Sequence, residues 1–182
     1  MTSAAAADQP ADRLRADGAS GAAGGVRRAV VVVASTRAAA GTSPDLTGPV
    51  IRDWFVARGW QADEPVVVAD GAPVGEALAA AVARGVDVVL TTGGTGLTPT
   101  DRTPEVTRPL LDREVPGIAE AIRAHGVAKG VPTAVLSRGL AGVVGSCLVV
   151  NLPGSRGGVR DGLAVLAPIV VHAVEQVVGS DH

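Results

Sequence analysis

The sequence predicts an α/β fold with a mostly parallel central sheet, and two observations support this prediction. Strongly apolar runs without polar alternation, such as Arg28–Ala34, indicate strands that are buried on both faces, as parallel strands usually are. These runs alternate with helical patterns through the first two-thirds of the chain, which is the order that produces a parallel sheet.

Strands are predicted where short apolar runs are bounded by glycine, proline or polar turn residues. The predicted strands are Arg28–Ala34, Pro65–Ala69, Val86–Thr91, Ala134–Leu140 and Cys147–Leu152. A glycine-rich turn joins the last two.

Helices are predicted from apolar residues that recur on one helical face. The first helix, Pro49–Ala57, ends before Gly59, and the second has Val74, Leu78 and Val82 as its buried stripe. Ser155 is the predicted N-cap of a helix that begins near Arg156. The other predicted helices are Pro104–Asp112, Pro116–His125 and Pro168–Val178, and the face predicted to be apolar in the helix after Ser155 is Val159, Leu163 and Leu166.

Composition narrows the function classes. The 182 residues include 47% hydrophobic residues, which is ample for the core of one domain, and the net charge is −2. Only Trp54, Phe55 and Trp60 are aromatic, so we expect no stacking platform for single-stranded nucleic acid. The net charge and the lack of a basic run also argue against nucleic-acid or membrane binding by electrostatics. The single cysteine, Cys147, lies in an apolar run and is expected to be a core thiol of a cytoplasmic protein.

The chain divides into two parts by composition. Residues 1–25 contain almost nothing large and apolar, which predicts a disordered tail, and residues 26–182 form the single predicted domain. A transit peptide is disfavoured by Asp8, Asp12 and Asp17 in the tail.

The most informative stretch of the sequence is Val88–Glu105. A predicted buried strand ends in three glycines, Gly93, Gly94 and Gly96, followed by a run of threonines and charged residues. Glycines past a strand allow backbone N–H groups to approach a ligand closely, so the stretch indicates an anion or phosphate site. A tight turn with a polar rim is the alternative interpretation.

Ligands of open α/β sheets bind beyond the carboxyl ends of the strands. Four predicted loops meet this rule: Ser35–Gly48, Ala69–Ala72, Thr92–Thr103 and Leu152–Ser155. They lack the spacing of a P-loop and of a dinucleotide-binding fingerprint.

Two carboxylates in these loops are candidate ligands of Mg²⁺, which proteins bind through one or two carboxylates together with substrate phosphates. They are Asp70 and Asp101. The alternatives are an ordinary Asp-Gly turn for Asp70 and a local hydrogen bond for Asp101.

Several motifs occur in a fixed order along the chain. They are Val32-x-Ala34-Ser-Thr-Arg37 with Gly41, Asp45 and Gly48-Pro49; Thr91-Thr-Gly-Gly-Thr-Gly96 with Asp101-x-Thr103-Pro-Glu105; Leu136-Ser-Arg-Gly139 with Ala141-Gly142; and Asn151-Leu-Pro-Gly154. In this combination the sequence resembles the MoaB/Mog family of molybdenum cofactor biosynthesis proteins, over Arg28 to about Gly179.

The resemblance implies a three-layer α/β/α sandwich that assembles as a trimer or a hexamer and binds molybdopterin. In the catalytic Mog-type members, ATP and Mg²⁺ bind together with molybdopterin. AMP is then transferred to the terminal phosphate of molybdopterin, and pyrophosphate leaves. By the same resemblance Asp70 and Asp101 match the two functional aspartates, with Asp101 holding the metal. The residues implied in binding are Thr92, Gly93, Gly94, Thr95, Gly96, Ser137, Arg138, Pro153, Gly154 and Ser155.

The chain departs from the Mog-type pattern at two positions. Thr36 stands where many such members carry aspartate, and Arg156 replaces the second proline of the last motif. Both departures make the sequence more similar to the MoaB-type branch of the family. Besides molybdopterin adenylyltransferase, the sequence therefore leaves open a non-catalytic molybdopterin-binding or scaffolding paralogue, and the related domain of competence-damage proteins.

Overall fold

The structure of the chain is a computed structural model that describes residues 25–179. The predicted tail, residues 1–25, lies outside the described residues except for Gly25.

A seven-stranded sheet forms the centre of the domain, in the order β2-β1-β4-β7-β6-β5 with β3 also paired to β1. Strands β2, β3, β1, β4 and β7 run parallel, whereas β6 and β5 are antiparallel additions at one edge. The strands are β1 Arg28–Ala34, β2 Gln61–Ala62, β3 Val66–Val68, β4 Val88–Thr92, β5 Arg113–Glu114, β6 Ala141–Val144 and β7 Cys147–Leu152. The mostly parallel sheet is confirmed.

Helices connect the strands on both sides of the sheet. They are α1 Thr36–Ala39, α2 Gly48–Val56, α3 Ala72–Ala83, α4 Thr103–Thr107, α5 Pro116–Ala128, α6 Arg156–Leu166 and α7 Val170–Val177, with 3-10 turns at Arg108–Leu110 and Pro132–Leu136. Ser155 caps α6, since its hydroxyl accepts a hydrogen bond from the N–H of Gly158 at 3.0 Å. This N-cap was predicted, and so was the apolar face formed by Val159, Leu163 and Leu166, all of which are buried.

Two apolar clusters lie on the two faces of the sheet because the central strands are apolar on both faces. Val31 and Val33 of β1 belong to the cluster with α2, α5, α6 and α7. Val30 and Val32 point the other way, into the cluster with α3. Burial in that second cluster raises the pKa of Cys147 to about 12, as expected of a core thiol. The domain is therefore a three-layer α/β/α sandwich.

The predicted strand Ala134–Leu140 is wrong. Its first part belongs to the 3-10 turn Pro132–Leu136, where Val135 and Leu136 are exposed. Beyond the turn, the backbone N–H of Arg138 donates a 2.9 Å hydrogen bond to the loop after β4 rather than to a strand. The stretch therefore contacts the loop after β4 instead of pairing with a strand. Its apolar composition alone does not distinguish these two arrangements.

The strand at this edge of the sheet is β6, which starts at Ala141 and turns back into β7. Gly142 inside β6 is required by packing, because a Cβ there would lie 2.5 Å from the carbonyl oxygen of Arg113 in β5. A glycine inside a strand usually marks a bend or a close approach of another backbone segment, and Gly142 marks a close approach.

Smaller differences concern short elements and element ends. Helix α4 ends at Thr107 and continues as a 3-10 turn, where the sequence predicted a helix to Asp112. In α3 the third buried position is Ala81, and Val82 is only partly buried. Elements of two to four residues, such as β2, β5 and α1, carry too few residues to show a period.

Within residues 25–179, no single helix is long and apolar enough to cross a membrane. Helices α6 and α7 meet the length and composition of a span only as a pair, bent by 61° at the break between them. Several of their apolar side chains, among them Leu166 and Val174, are buried in the core.

Asn151 in β7 is a buried polar residue that ties three parts of the fold together. Its amide nitrogen donates to the hydroxyls of Thr91 in β4 at 3.0 Å and of Thr107 in α4 at 3.1 Å. Its amide oxygen accepts from the N–H of Leu140 at 3.2 Å, just before β6. The asparagine of the Asn-Leu-Pro-Gly motif therefore serves the fold.

We predict that Asn151→Ala lowers the free energy of unfolding by about 2–4 kcal/mol, since it leaves two buried hydroxyls and one N–H without their partner. Urea denaturation measures the change. Gln61→Ala removes an exposed amide from β2 and is the matched control, with an expected change within about 0.5 kcal/mol. Equal effects of the two substitutions would contradict the role given to Asn151.

Candidate functional site

Three loops meet where the parallel strands β1, β4 and β7 end. The N–H of Gly93, directly after β4, donates to the carbonyl of Leu152 at the end of β7, at 3.3 Å. On the other side a Cβ at Gly93 would lie 2.3 Å from the carbonyl oxygen of Ala34, the last residue of β1. The convergence of these loops, which the sequence predicted, is confirmed.

The loop after β4 needs its glycines. Gly93 and Gly94 have φ of +93° and +63°, a conformation that side chains disfavour. A Cβ at Gly94 would lie 2.3 Å from the hydroxyl oxygen of Thr103 and 2.8 Å from Oδ1 of Asp70. At Gly96 it would lie 2.7 Å from Oδ2 of Asp101. Both candidate carboxylates therefore stand directly against the glycine loop.

Asp70, between β3 and α3, is held by the loop after β1. Its Oδ2 accepts hydrogen bonds from the N–H of Thr36 at 3.2 Å and from the Thr36 hydroxyl at 3.0 Å. Its Oδ1 accepts no hydrogen bond from any residue between 25 and 179 and faces Gly94. The Thr36 hydroxyl thus orients Asp70 and leaves one carboxylate oxygen available.

Asp101 closes the same loop further along. Its Oδ2 accepts from the N–H of Thr98 at 3.2 Å and from the Thr98 hydroxyl at 2.7 Å. No hydrogen bond to its Oδ1 comes from the part of the chain that the structure describes. The local hydrogen bond that the sequence allowed for Asp101 is present, and it still leaves one oxygen available.

A metal ion would need ligands from a substrate here. The described residues contain no group of three or more His, Cys, Asp or Glu side chains that could hold a metal. Two carboxylates with one available oxygen each suit Mg²⁺, which commonly takes its remaining oxygen ligands from phosphates and water.

Arg138 holds the glycine loop in place. Its Nε donates to the carbonyl of Gly96 at 2.7 Å and its Nη2 to the carbonyl of Asp101 at 2.6 Å. Its Nη1 donates to the carboxylate of Glu105. Burial raises the pKa of Glu105, but the hydrogen bond and charge of Arg138, with the charge of Arg102, outweigh it and leave the pKa below its ordinary value. Arg138 therefore acts on the loop rather than on the cavity beside it.

A cavity of about 400 Å³ opens beside the loop, between α5, the 3-10 turn and the start of α6. Eight of the predicted site residues line it: Gly94, Thr95, Gly96, Asp101, Ser137, Pro153, Gly154 and Ser155. Its other walls include apolar side chains from Ile122, Val131, Ala134 and Leu136. The size is typical of ligand pockets.

A second, more polar cavity of about 240 Å³ lies at the start of the loop. Thr92, Gly93 and Gly154 line it, together with Arg37 and Arg156. The guanidinium groups of these two arginines make no hydrogen bond or ion pair with residues 25–179. The carboxylate of Asp45 also lines the cavity, but it accepts hydrogen bonds from Thr47 and the N–H of Gly48, so the two arginines leave the cavity with a positive balance that favours an anion.

Sequence reasoning missed other residues that line the larger cavity, namely Arg123, Thr133 and Asp161. They belong to α5, to the 3-10 turn and to α6. No motif marks them, because their proximity depends on the packing of α5 against α6.

Comparison with known proteins agrees with this geometry. The family described as "Probable molybdopterin binding domain" matches residues 30–172. The Molybdenum cofactor biosynthesis bifunctional protein of Synechococcus elongatus is 40% identical over 155 residues, which are 85% of this chain and 48% of that protein. The chain thus spans about half the length of this relative. The Molybdopterin adenylyltransferase of Pyrococcus furiosus is 34% identical, over 80% of this chain and 88% of that one.

Solved structures extend the similarity to the whole fold. The molybdopterin biosynthesis Mog protein from Mycobacterium ulcerans is 56% identical, with a TM-score of 0.80 over 84% of this chain and 99% of that chain. The molybdopterin biosynthesis enzyme MoaB from Thermus thermophilus is 42% identical, with a TM-score of 0.78 over 85% of this chain and 98% of that one. The protein CinA from Thermoplasma acidophilum, at 20% identity, a TM-score of 0.63 and coverage of 80% of this chain and 98% of that one, shows the fold alone.

The matched residues include the strands β4 and β7, the glycine loop and both aspartates of the site. The chain therefore belongs to the MoaB/Mog family of molybdopterin binding domains.

Proposed function

We propose that this chain is a molybdopterin adenylyltransferase of molybdenum cofactor biosynthesis. It transfers AMP from Mg-ATP to the terminal phosphate of molybdopterin and releases pyrophosphate. One observation carries the proposal: a glycine loop with positive φ lies between two carboxylates, Asp70 and Asp101, each with one oxygen that accepts no hydrogen bond from residues 25–179. Relatives named for this activity support it.

The reaction does not require the protein to transfer a proton. An oxygen of the terminal phosphate forms a bond to the α-phosphorus of ATP, and the bond from that phosphorus to the bridging oxygen breaks, so that pyrophosphate leaves with the electron pair. The attacking phosphate is already ionised at neutral pH, so no general base is required. Positioning and stabilisation of charge are the remaining tasks.

Residues of this chain can perform both tasks. The backbone of Gly93 and Gly94 allows phosphates to approach closely, as glycine-rich loops do. Asp70 and Asp101 present oxygens to a cation, with Thr36 and Thr98 holding them in orientation. Mg²⁺ bound there would neutralise phosphate charge and stabilise the leaving group.

The polar cavity beside the loop suits the leaving group. Arg37 and Arg156 bring two positive charges to this cavity at the start of the loop. Guanidinium groups are good partners of phosphate oxygens. We therefore propose that this cavity takes the β- and γ-phosphates of ATP, which leave as pyrophosphate.

The proposal extends to assembly as a homotrimer or hexamer. Two exposed apolar side chains do not line the larger cavity, Val127 near the end of α5 and Val135 in the following 3-10 turn, and a partner subunit would cover them. Sedimentation velocity measures the assembly. A cytoplasmic location stays a prediction.

One observation favours a non-catalytic molybdopterin-binding protein instead. Thr36 supplies a hydroxyl to Asp70 at the position where many Mog-type relatives carry a carboxylate, so the loop after β1 adds no acidic group. Such a protein would bind molybdopterin without releasing pyrophosphate from Mg-ATP.

We predict that wild-type protein releases pyrophosphate when molybdopterin and Mg-ATP are both present, and that Asp101→Asn lowers this rate by about 100-fold or more, because the metal loses a charged ligand. A coupled pyrophosphate assay measures the rate. Asp53→Asn, an exposed carboxylate of α2, is the control and should keep the wild-type rate. Binding of molybdopterin without pyrophosphate release by the wild type would refute the transferase and leave the binding protein.

Gly94→Ala should lower the rate of pyrophosphate release by about tenfold or more, since its Cβ must displace either Thr103 or Asp70. The same assay applies. Gly117→Ala is a matched control, because Gly117 of α5 lines neither cavity and a Cβ there meets no heavy atom within 4 Å. If both substitutions reduced the rate equally, the geometry of the loop would not be what matters.

A further inference from the structure

Asp161 of α6 is a carboxylate in the wall of the larger cavity, and no motif assigns it a role. Its side chain is only 22% exposed. The nearest nitrogen of a basic side chain is Nε2 of His125, at 3.7 Å from Oδ1, which is too long for a hydrogen bond. Among residues 25–179, none donates a hydrogen bond to Asp161. A partly buried carboxylate without a donor is an acceptor that a ligand can use.

The other cation near the cavity is engaged through one of its guanidinium nitrogens. Arg123 of α5 lines the cavity, but its Nη1 donates to the carbonyls of Ser137 at 3.2 Å and Gly139 at 3.3 Å. It therefore holds the segment before β6 in place. Asp161 thus faces the cavity as an acceptor that the described residues leave unused.

The surroundings of Asp161 suit a flat heterocycle. Oδ2 lies 4.0 Å from the place of a Cβ on Gly126, and that Cβ would also lie 2.6 Å from Cβ of Ala134. The lack of a side chain at Gly126 therefore lets α5 pack closely against the 3-10 turn. It also leaves no side chain of Gly126 in the cavity wall beside Asp161. Ile122 and Leu136 add apolar contact area in the same cavity. Apolar walls with one polar group that fixes orientation are typical of small-molecule sites.

The hydrogen-bonding edge that fits a carboxylate is a pair of adjacent donors. A pterin presents such a pair, because its 2-amino group and its N3–H lie side by side. Adenine presents one donor beside one acceptor on its N1 edge, and a carboxylate repels that acceptor. We propose that Asp161 accepts both donors of the pterin ring, and so selects the pterin for the cavity between α5 and α6 over adenine.

This inference rests on the proposed function for the identity of the substrate, and it assigns the two cavities to different groups. The pterin occupies the cavity of Asp161, its phosphate lies toward Gly94 and Gly96, and the polyphosphate of ATP lies on the side of Arg156. A specificity role for Asp161 goes beyond the motifs on which the resemblance rests, none of which includes this residue.

Fluorescence titration of the full chain with pterin and with lumazine tests the proposal. Lumazine is the same bicycle with an oxygen in place of the 2-amino group, so it lacks one of the two donors. We expect wild-type protein to bind pterin about tenfold or more tightly than lumazine, because a hydrogen bond to a charged acceptor is lost. Equal affinity for the two ligands overturns the proposal, and this arm needs no variant.

Asp161→Asn provides the second arm. The variant should bind pterin about tenfold more weakly and lose the preference over lumazine, while its affinity for adenosine rises, since an amide can pair with one donor and one acceptor. Glu120→Gln removes an exposed carboxylate from α5 and should keep wild-type affinities. A general loss of affinity for all three ligands would indicate a merely structural role and overturn the proposal.

Guanosine carries the same pair of adjacent donors as a pterin. Titration with guanosine therefore distinguishes a pterin from a guanine nucleotide as the ligand of Asp161. Tighter binding of guanosine than of pterin would reassign the cavity to a guanine nucleotide and overturn the pterin assignment. The outcomes for the reaction are separate from these. Selective pterin binding without pyrophosphate release would refute the transferase alone, whereas pyrophosphate release with equal binding of pterin and lumazine would refute the role of Asp161 alone.

Discussion

The parallel placement of β4 between β1 and β7 is the constraint on which the rest of the structure depends. It brings the carboxyl ends of three strands to one edge, so that Ala34, Gly93 and Leu152 pack backbone against backbone. A side chain would not fit between these backbones, and this is why the loop after β4 begins with the two glycines Gly93 and Gly94. The same arrangement directs free polar groups of several loops toward one point.

Two polar residues keep this arrangement from relaxing. Asn151 links β7 to β4 and α4 inside the core, and Arg138 links the glycine loop to Glu105 on the surface. Both belong to motifs of the resemblance, which implied ligand binding for Arg138 and made no assignment for Asn151. The structure gives them a positioning role, and so separates residues that shape the site from residues that face it, such as Asp101 and Asp161.

The fold class, the parallel strands and the loop around Gly93 could be predicted from the sequence because each leaves a local signal, an apolar run or a cluster of glycines. The segment 134–140 could not, because an apolar stretch with a long-range contact to a loop resembles a strand. Asp161 could not be found either, since its importance comes from the packing of α5 against α6 and from the absence of a donor among the described residues. The motifs located the glycine loop, and the tertiary structure located the cavity beside it.

The central claim is that the glycine loop between Asp70 and Asp101 holds phosphate groups. A crystal structure with Mg²⁺, molybdopterin and a non-hydrolysable ATP analogue tests it most directly. We predict phosphate oxygens within hydrogen-bonding distance of backbone N–H groups between Gly93 and Gly96, and a metal ion bound to Asp101. Phosphates bound elsewhere on the domain, with this loop unchanged and no metal at Asp101, would contradict the account.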